Sequence, residues 1–372
     1  MSISRTAAMA TVTAALAFSV AACGGSDNGG GSSSGGSSAG SGGGSAKIAF
    51  LLPESKTARY ELQDRPNFIR RVKELCSGCQ VLYSNADQDA AKQQQQAEAA
   101  ITQGAKVLVL DAVDVKSAAS IVTRAKQSKI PVISYGRLVS DADLDYYVSI
   151  DPFKVGQQQG KALLAALPSG GKGSPVVMIN GAPTDSNAAP YKKGAHSVLD
   201  AAGVKVVKEY DTPDWSPDKA QQEMEQTITS VGNNGFDGVY SANDGMAGGV
   251  IAALKGAKID PAARPVTGQD AEVAAIQRIL AGEQLMTVYQ PISKIAAAAA
   301  DLAVPLATGK TPPAIAKAKT NNGREDVPSV LLDTIAITKD NIDDTIVRDG
   351  FLTAKQICTG RYASACAEAG IT

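Results

Sequence analysis

The chain has 372 residues, of which 36 are basic and 37 acidic, and the near-zero balance without any lysine-arginine block excludes a nucleic-acid surface and disfavours polyanionic ligands. Its length fits two ordinary domains of about 150 residues each once a leader is removed, and only 5% of residues are aromatic, with one tryptophan, Trp215. The single histidine, His196, falls on an expected helix as a surface or packing residue, which argues against serine-histidine catalysis and histidine-rich metal sites.

In chain order, residues 1–22 read as a signal peptide: Thr6 to Ala22 is apolar or small, follows Arg5, and is too short for a comfortable membrane span. Val20-Ala21-Ala22-Cys23 has the form of a lipidation box, so Cys23 is expected to be diacylated, and two acyl chains give stable anchoring. Residues 23–46 form the anchor and tether. From Gly24 to Ala46 the chain is nearly all glycine and serine and cannot bury apolar surface. As a Gly-rich coil it reaches roughly 25 to 30 Å. The expected location is the outer face of the cytoplasmic membrane or the periplasm.

Beyond residue 46, short apolar runs alternate with amphipathic ones. Strands are expected at Ile48–Leu52, Gln80–Ser84, Val107–Asp111 and Pro131–Tyr135, with helices at Asn67–Leu75, Ala90–Gln103 and Lys116–Gln127. The strands are continuously apolar, as in a parallel sheet covered on both faces. The rhythm restarts with helices at Lys154–Leu167 and through Tyr191 to Ala202, and strands at Pro175–Asn180, Val204–Glu209, Gly238–Ser241 and Pro265–Gly268. Two α/β domains, each a doubly wound parallel sheet, follow from this repetition. The glutamine run Gln93–Gln96 is expected to decorate an exposed helical face.

Apart from Cys23, four cysteines remain, and short loops favour the pairs Cys76 with Cys79 and Cys358 with Cys366 as structural staples. No cofactor or metal site is expected. Gly309-Lys310-Thr311 lacks the leading glycine of a phosphate loop, and Tyr146 stands where a calcium loop beginning at Asp141 needs glycine.

Polar clusters follow four of the strands: Gly136-Arg137, Thr184-Asp185-Ser186-Asn187, Ala242-Asn243-Asp244 and Gln269-Asp270. In open parallel sheets ligands lie beyond the carboxyl ends of strands. Strand-end Asp and Asn are also common turn formers and helix caps. Their recurrence favours a site made of amides, carboxylates and guanidinium, with Tyr60 and Trp215 as aromatic faces. That kit suits a neutral polyol: carboxylates accept from hydroxyls, Arg donates, Asn does both, and a ring packs against C–H bonds.

The ordered segments Ala58-Arg59-Tyr60, Ser134-Tyr135-Gly136-Arg137-Leu138, Asp185-Ser186-Asn187-Ala188, Ala242-Asn243-Asp244, Gly268-Gln269-Asp270-Ala271, Met286 to Pro291 and Asn321-Asn322-Gly323 resemble the periplasmic monosaccharide-binding proteins of ABC transporters, above all the D-xylose-binding branch. The resemblance covers residues 47 to 355. It implies the type I periplasmic-binding-protein fold, with two lobes joined by a three-segment hinge. The N-terminal lobe would hold 47–149 plus 291–324, the C-terminal lobe 150–290 plus 325–357, with a disulfide-bearing tail at 358–372. It further implies a monomer that closes on a sugar and hands it to a membrane permease. Arg59, Tyr60 and Arg137 would bind from one lobe; Asp185, Asn187, Trp215, Asn243 and Asp270 from the other, with Gln290 at a crossover. Two positions depart from the xylose-binding pattern: Gly136 replaces Asp and Gln290 replaces Lys. The first removes an acceptor and opens space that would admit the hydroxymethyl group of a hexose.

A sugar receptor feeding a membrane sensor or chemotaxis system is the alternative. A glycoside hydrolase would need Asp185 and Asp270 as a carboxylate pair, whereas the resemblance implies binding without turnover. Repressors of related fold carry a DNA-binding module where this chain has its leader and tether.

Overall fold

The computed structural model describes residues 45–371, so the leader, Cys23 and the tether through residue 44 lie outside it. The first aliphatic run forms β1 (Lys47–Leu52), whose alternate side chains enter two different cores: Ile48, Phe50 and Leu52 on one face, Ala49 and Leu51 on the other. Burial on both faces is what a strand within a parallel sheet requires. The chain continues through α1 (Arg65–Leu75), β2 (Gln80–Asn85), α2 (Ala90–Thr102), β3 (Ala105–Leu110), α3 (Ala119–Gln127), β4 (Val132–Tyr135) and β5 (Tyr146–Ile150).

It then crosses to a second lobe, built from α4 (Pro152–Ala166), β6 (Pro175–Asn180), α5 (Ala188–Leu199), β7 (Lys205–Asp211), α6 (Pro217–Val231), β8 (Gly238–Ser241), α7 (Asp244–Gly256), α8 (Val273–Leu280) and β9 (Thr287–Tyr289). It returns to the first lobe as α9 (Ile292–Ala307), β10 (Ala318–Asn321) and β11 (Asp326–Leu332). The last elements, β12 (Ile335–Ile337), α10 (Ala354–Ile357) and α11 (Ala363–Glu368), close the second lobe.

The first sheet has the order β10-β11-β5-β4-β3-β1-β2 and is parallel except for β10. The second runs β7-β6-β8 in parallel. A bridge from Val239 to Val266, followed by Leu285 N–H donating to the Val266 carbonyl at 3.0 Å, carries it on to the antiparallel pair β9 and β12. The strand expected at Pro265–Gly268 is thus reduced to a single bridging residue.

Two expectations are corrected. Residues 325–332 lie on the first sheet, because β11 pairs in parallel with β5 from Ser329–Tyr147 to Leu332–Ile150. The third crossover therefore falls between Leu332 and Ile335, and not at 324. The glutamine run does not simply face solvent: Gln93 is 1% exposed, donating to the Asp111 carbonyl at 2.8 Å and accepting from Val113 N–H at 2.9 Å. The disulfide-bearing tail, described through residue 371, is packed against the second lobe. Gln277 donates to the Ile357 carbonyl at 2.9 Å, and Cys366 and Ile371 are buried. Disulfides join Cys76 to Cys79, just beyond α1, and Cys358 to Cys366.

Candidate functional site

Arg59 and Tyr60 stand at the wide helical turn, Tyr60–Asp64, that leads into α1. Arg59 makes a forked pair with Asp64, Nε to Oδ2 and Nη2 to Oδ1 both at 2.9 Å, and the Tyr135 hydroxyl also donates to Asp64. Burial disfavours the Arg59 cation, but Asp64 outweighs it and holds the group charged. The remaining guanidinium nitrogen donates to Gln290 Oε1 at 2.9 Å. Gln290 Nε2 in turn donates to Asp270 Oδ1 at 3.0 Å.

Arg137 follows β4 and is 3% exposed. Its Nη1 donates to the Ala112 carbonyl at 2.9 Å, and Nη2 reaches the Tyr60 hydroxyl at 3.5 Å. Nε lies 2.9 Å from Asp185 Oδ2, an ion pair across the lobes without the alignment of a hydrogen bond. Asp185 itself turns the loop by accepting from Asn187 N–H at 2.8 Å. Asn187 Nδ2 donates to the Gly136 carbonyl at 3.1 Å, and Leu138 N–H to Ser186 Oγ at 2.7 Å. These contacts join the lobes directly, so this is a closed form.

Asn243 caps α7, with Oδ1 accepting from Met246 N–H at 3.0 Å, which leaves its amide N–H groups for the cavity. Asp270 sits in left-handed backbone, φ 99°, a conformation costly for a non-glycine residue and found where a site imposes it. Burial pushes its carboxyl above the ordinary range. Trp215 lies over the end of β6: a Cβ on Gly181 would stand 2.0 Å from the indole, so only glycine lets the ring settle there. The indole is edge-on to Tyr191, with centroids 6.3 Å apart.

The nine expected residues, Arg59, Tyr60, Arg137, Asp185, Asn187, Trp215, Asn243, Asp270 and Gln290, all line one cavity between the lobes. Its volume is about 40 Å³. Asp111, Tyr191 and Gln269 line it too. Gln269 belonged to a strand-end cluster, whereas Asp111 was hidden as the last residue of an apolar strand. Trp215 Nε1, Gln269 Oε1 and both carboxylate oxygens of Asp111 are buried without hydrogen-bond partners within the protein.

The expectation that Gly136 opens space is overturned. A Cβ at Gly136 would lie 2.4 Å from Asp111 Oδ2, so the Asp111 carboxylate already fills that corner and supplies an acceptor there.

Two α/β lobes crossed three times by the chain, closed over a small polar cavity between the carboxyl ends of their strands, define a two-lobe binding protein. Residues 48–311 match the family model described as periplasmic binding protein domain. The chain belongs to that family, a family of binding proteins.

A D-xylose-binding periplasmic protein of Haemophilus influenzae is 38% identical over 315 residues, covering 84% of this chain and 92% of that one. A multiple sugar-binding periplasmic receptor of Rhizobium radiobacter is 31% identical over 327 residues, 83% of this chain and 92% of that one. Among solved structures, an ABC transporter solute-binding protein of Clostridium phytofermentans with bound β-D-glucose superposes with a TM-score of 0.75. It is 27% identical and covers 84% of this chain and 99% of that one. No helix among the described residues is long and apolar enough to cross a membrane.

Proposed function

We propose that this chain captures a monosaccharide, xylose or a related pentose or hexose, between its lobes and delivers it to the permease of an ABC transporter. The observation that carries the reading is the composition of the closed cavity. Two guanidinium groups, carboxylates and amides from both lobes face one space beside the rings of Tyr60 and Trp215. A sugar's hydroxyls both donate and accept, and each one left unpaired in a dry site costs about 1 to 3 kcal/mol. Donors on Arg137, Asn243 and Trp215 and acceptors on Asp185, Asp270 and Gln269 can pair such a ring all round. The indole offers an apolar face to its C–H bonds. The sugar-binding relatives support this class of ligand.

Ligand binds one lobe of an open form, and the second lobe adds its contacts only on closure. The sugar therefore shifts the population by its greater affinity for the closed state. A diacyl anchor at Cys23 would keep a monomeric binder within reach of the permease at high local concentration. Titration calorimetry with xylose, arabinose, glucose and galactose tests the capture step: heat from at least one is expected, and none from any would overturn it. Membrane fractionation of Cys23→Ser tests the anchor, with release into the soluble fraction as the expected result.

A further inference from the structure

We infer that Asp111 is a ligand-binding, specificity-determining acceptor of this site, and that Gly136 is glycine to make room for it. The inference rests on the sugar-capture reading and assigns one corner of it.

Asp111 comes directly after β3 and is 1% exposed, yet neither carboxylate oxygen has a hydrogen-bond partner within the protein. The nearest cation, Arg137, places Nε 3.6 Å from Oδ1, and that nitrogen is also without an aligned partner. A buried carboxylate in this condition is costly unless something donates to it. Burial pushes its carboxyl well above the ordinary range, against the pull of Arg137 and Arg59.

The residue is nevertheless held firmly in place. Its N–H donates to the Leu51 carbonyl at 2.9 Å, and its carbonyl accepts from Gln93 Nε2 at 2.8 Å. One residue further, the Ala112 carbonyl accepts from Arg137, and Val113 N–H donates to Gln93 Oε1. Such preorganisation of an unpaired group is the arrangement of a binding contact. Space for it comes from Gly136, whose missing Cβ would sit 2.4 Å from Oδ2 and 3.1 Å from Cγ, and whose backbone is left-handed at φ 65°.

Two free acceptor oxygens ask for two donors. Adjacent hydroxyls of a neutral polyol supply them, whereas a carboxylate or phosphate on the ligand supplies none and would be repelled. The corner thus selects a neutral sugar and reads its hydroxyl pattern.

Titration of the full chain and its Asp111→Asn and Asp111→Ala variants with xylose, arabinose, glucose and galactose, beside thermal melting without sugar, tests this. For the sugar that binds the unaltered chain, both variants are expected to lose about tenfold or more in affinity. Their sugar-free melting temperature should not fall, because the carboxylate makes no hydrogen bond within the protein whose loss would destabilise it. A residue of merely structural importance would lower it. Gly136→Ala should lose affinity too, through the clash with Asp111 and through its left-handed backbone, so the Asp111 variants carry the decision.

Asp111→Ala binding within about threefold of the unaltered chain overturns the assignment while leaving sugar capture intact. Should Asp111→Ala fail to fold, Asp111→Asn decides by the same criterion. No heat from any sugar with the unaltered chain overturns both readings.

Discussion

At the scale of single residues, the site is built from groups that serve two masters. Asn243 caps α7 and lines the cavity; Asp185 turns its own loop and pairs with Arg137. Trp215 has fewer obligations. Its ring rests on Gly181 and its Nε1 is unpaired. Trp215→Ala and Asp270→Ala are each expected to weaken sugar binding by about an order of magnitude or more, as loss of a buried face or charged acceptor does. Calorimetry checks this, and near-unaltered affinity in both would place the site elsewhere. The strand-end amides and carboxylates were legible because their types are unusual at the ends of apolar runs. Asp111 was not, since a chain read linearly shows an aspartate closing a strand and gives no sign that it fills the space beside Gly136. Gln93 was hidden by its neighbours, being one of four consecutive glutamines of which burial singles it out.

At the scale of elements, continuous aliphatic runs made β1, β3 and β6 plain, because a strand covered on both faces has no polar side to confuse the pattern. β10 and β11 carry only half that signal. β10 is a four-residue edge strand, and β11 alternates exposed with buried residues, Val327 and Ser329 pointing inward. The hairpin is instead fixed by Asn322, whose amide donates to the Val139 and Ala142 carbonyls at 3.2 and 2.8 Å. Those partners lie some 180 residues away in sequence. A third crossover placed by long-range pairing is not visible locally. The same holds for α2, whose Gln93 clamps the loop after β3. Gln93→Leu removes two buried hydrogen bonds and should lower stability by about 1 to 3 kcal/mol, read by urea unfolding, with weakened sugar binding besides. Unchanged stability would show that the loop after β3 holds its shape without this clamp.

At the scale of the whole molecule, closing the lobes buries acids that an open form would leave in water. Glu272 of the second lobe accepts from Ala58 N–H of the first at 3.3 Å. Burial, then the nearby Asp270 charge, pushes its carboxyl up to about 7 from an ordinary 4.5. A group whose acidity falls on closure holds its proton more tightly in the closed form. Closure is therefore favoured as pH drops below 7, with the gain complete near 4.5 and lost as pH rises through 7. Burial shifts Asp111 and Asp270 in the same direction, although hydroxyl donors from a bound sugar would oppose it there. Sugar affinity is expected to be higher at pH 5.5 than at pH 8, and Glu272→Gln should flatten part of the difference in calorimetry. An identical profile in that variant would remove Glu272 from closure.

Gln290 sits on one of the three crossings, and its amide has a fixed sense: oxygen toward Arg59, nitrogen toward Asp270. Turned over, it would set donor against donor and acceptor against acceptor. Lysine, which the xylose-binding pattern carries there, could give to Asp270 but would offer Arg59 no acceptor, and glutamate could take from Arg59 but would confront Asp270. In this chain the crossing is in this sense a coupling, a neutral two-way group through which an arginine of one lobe and an aspartate of the other are tied together without a charge between them.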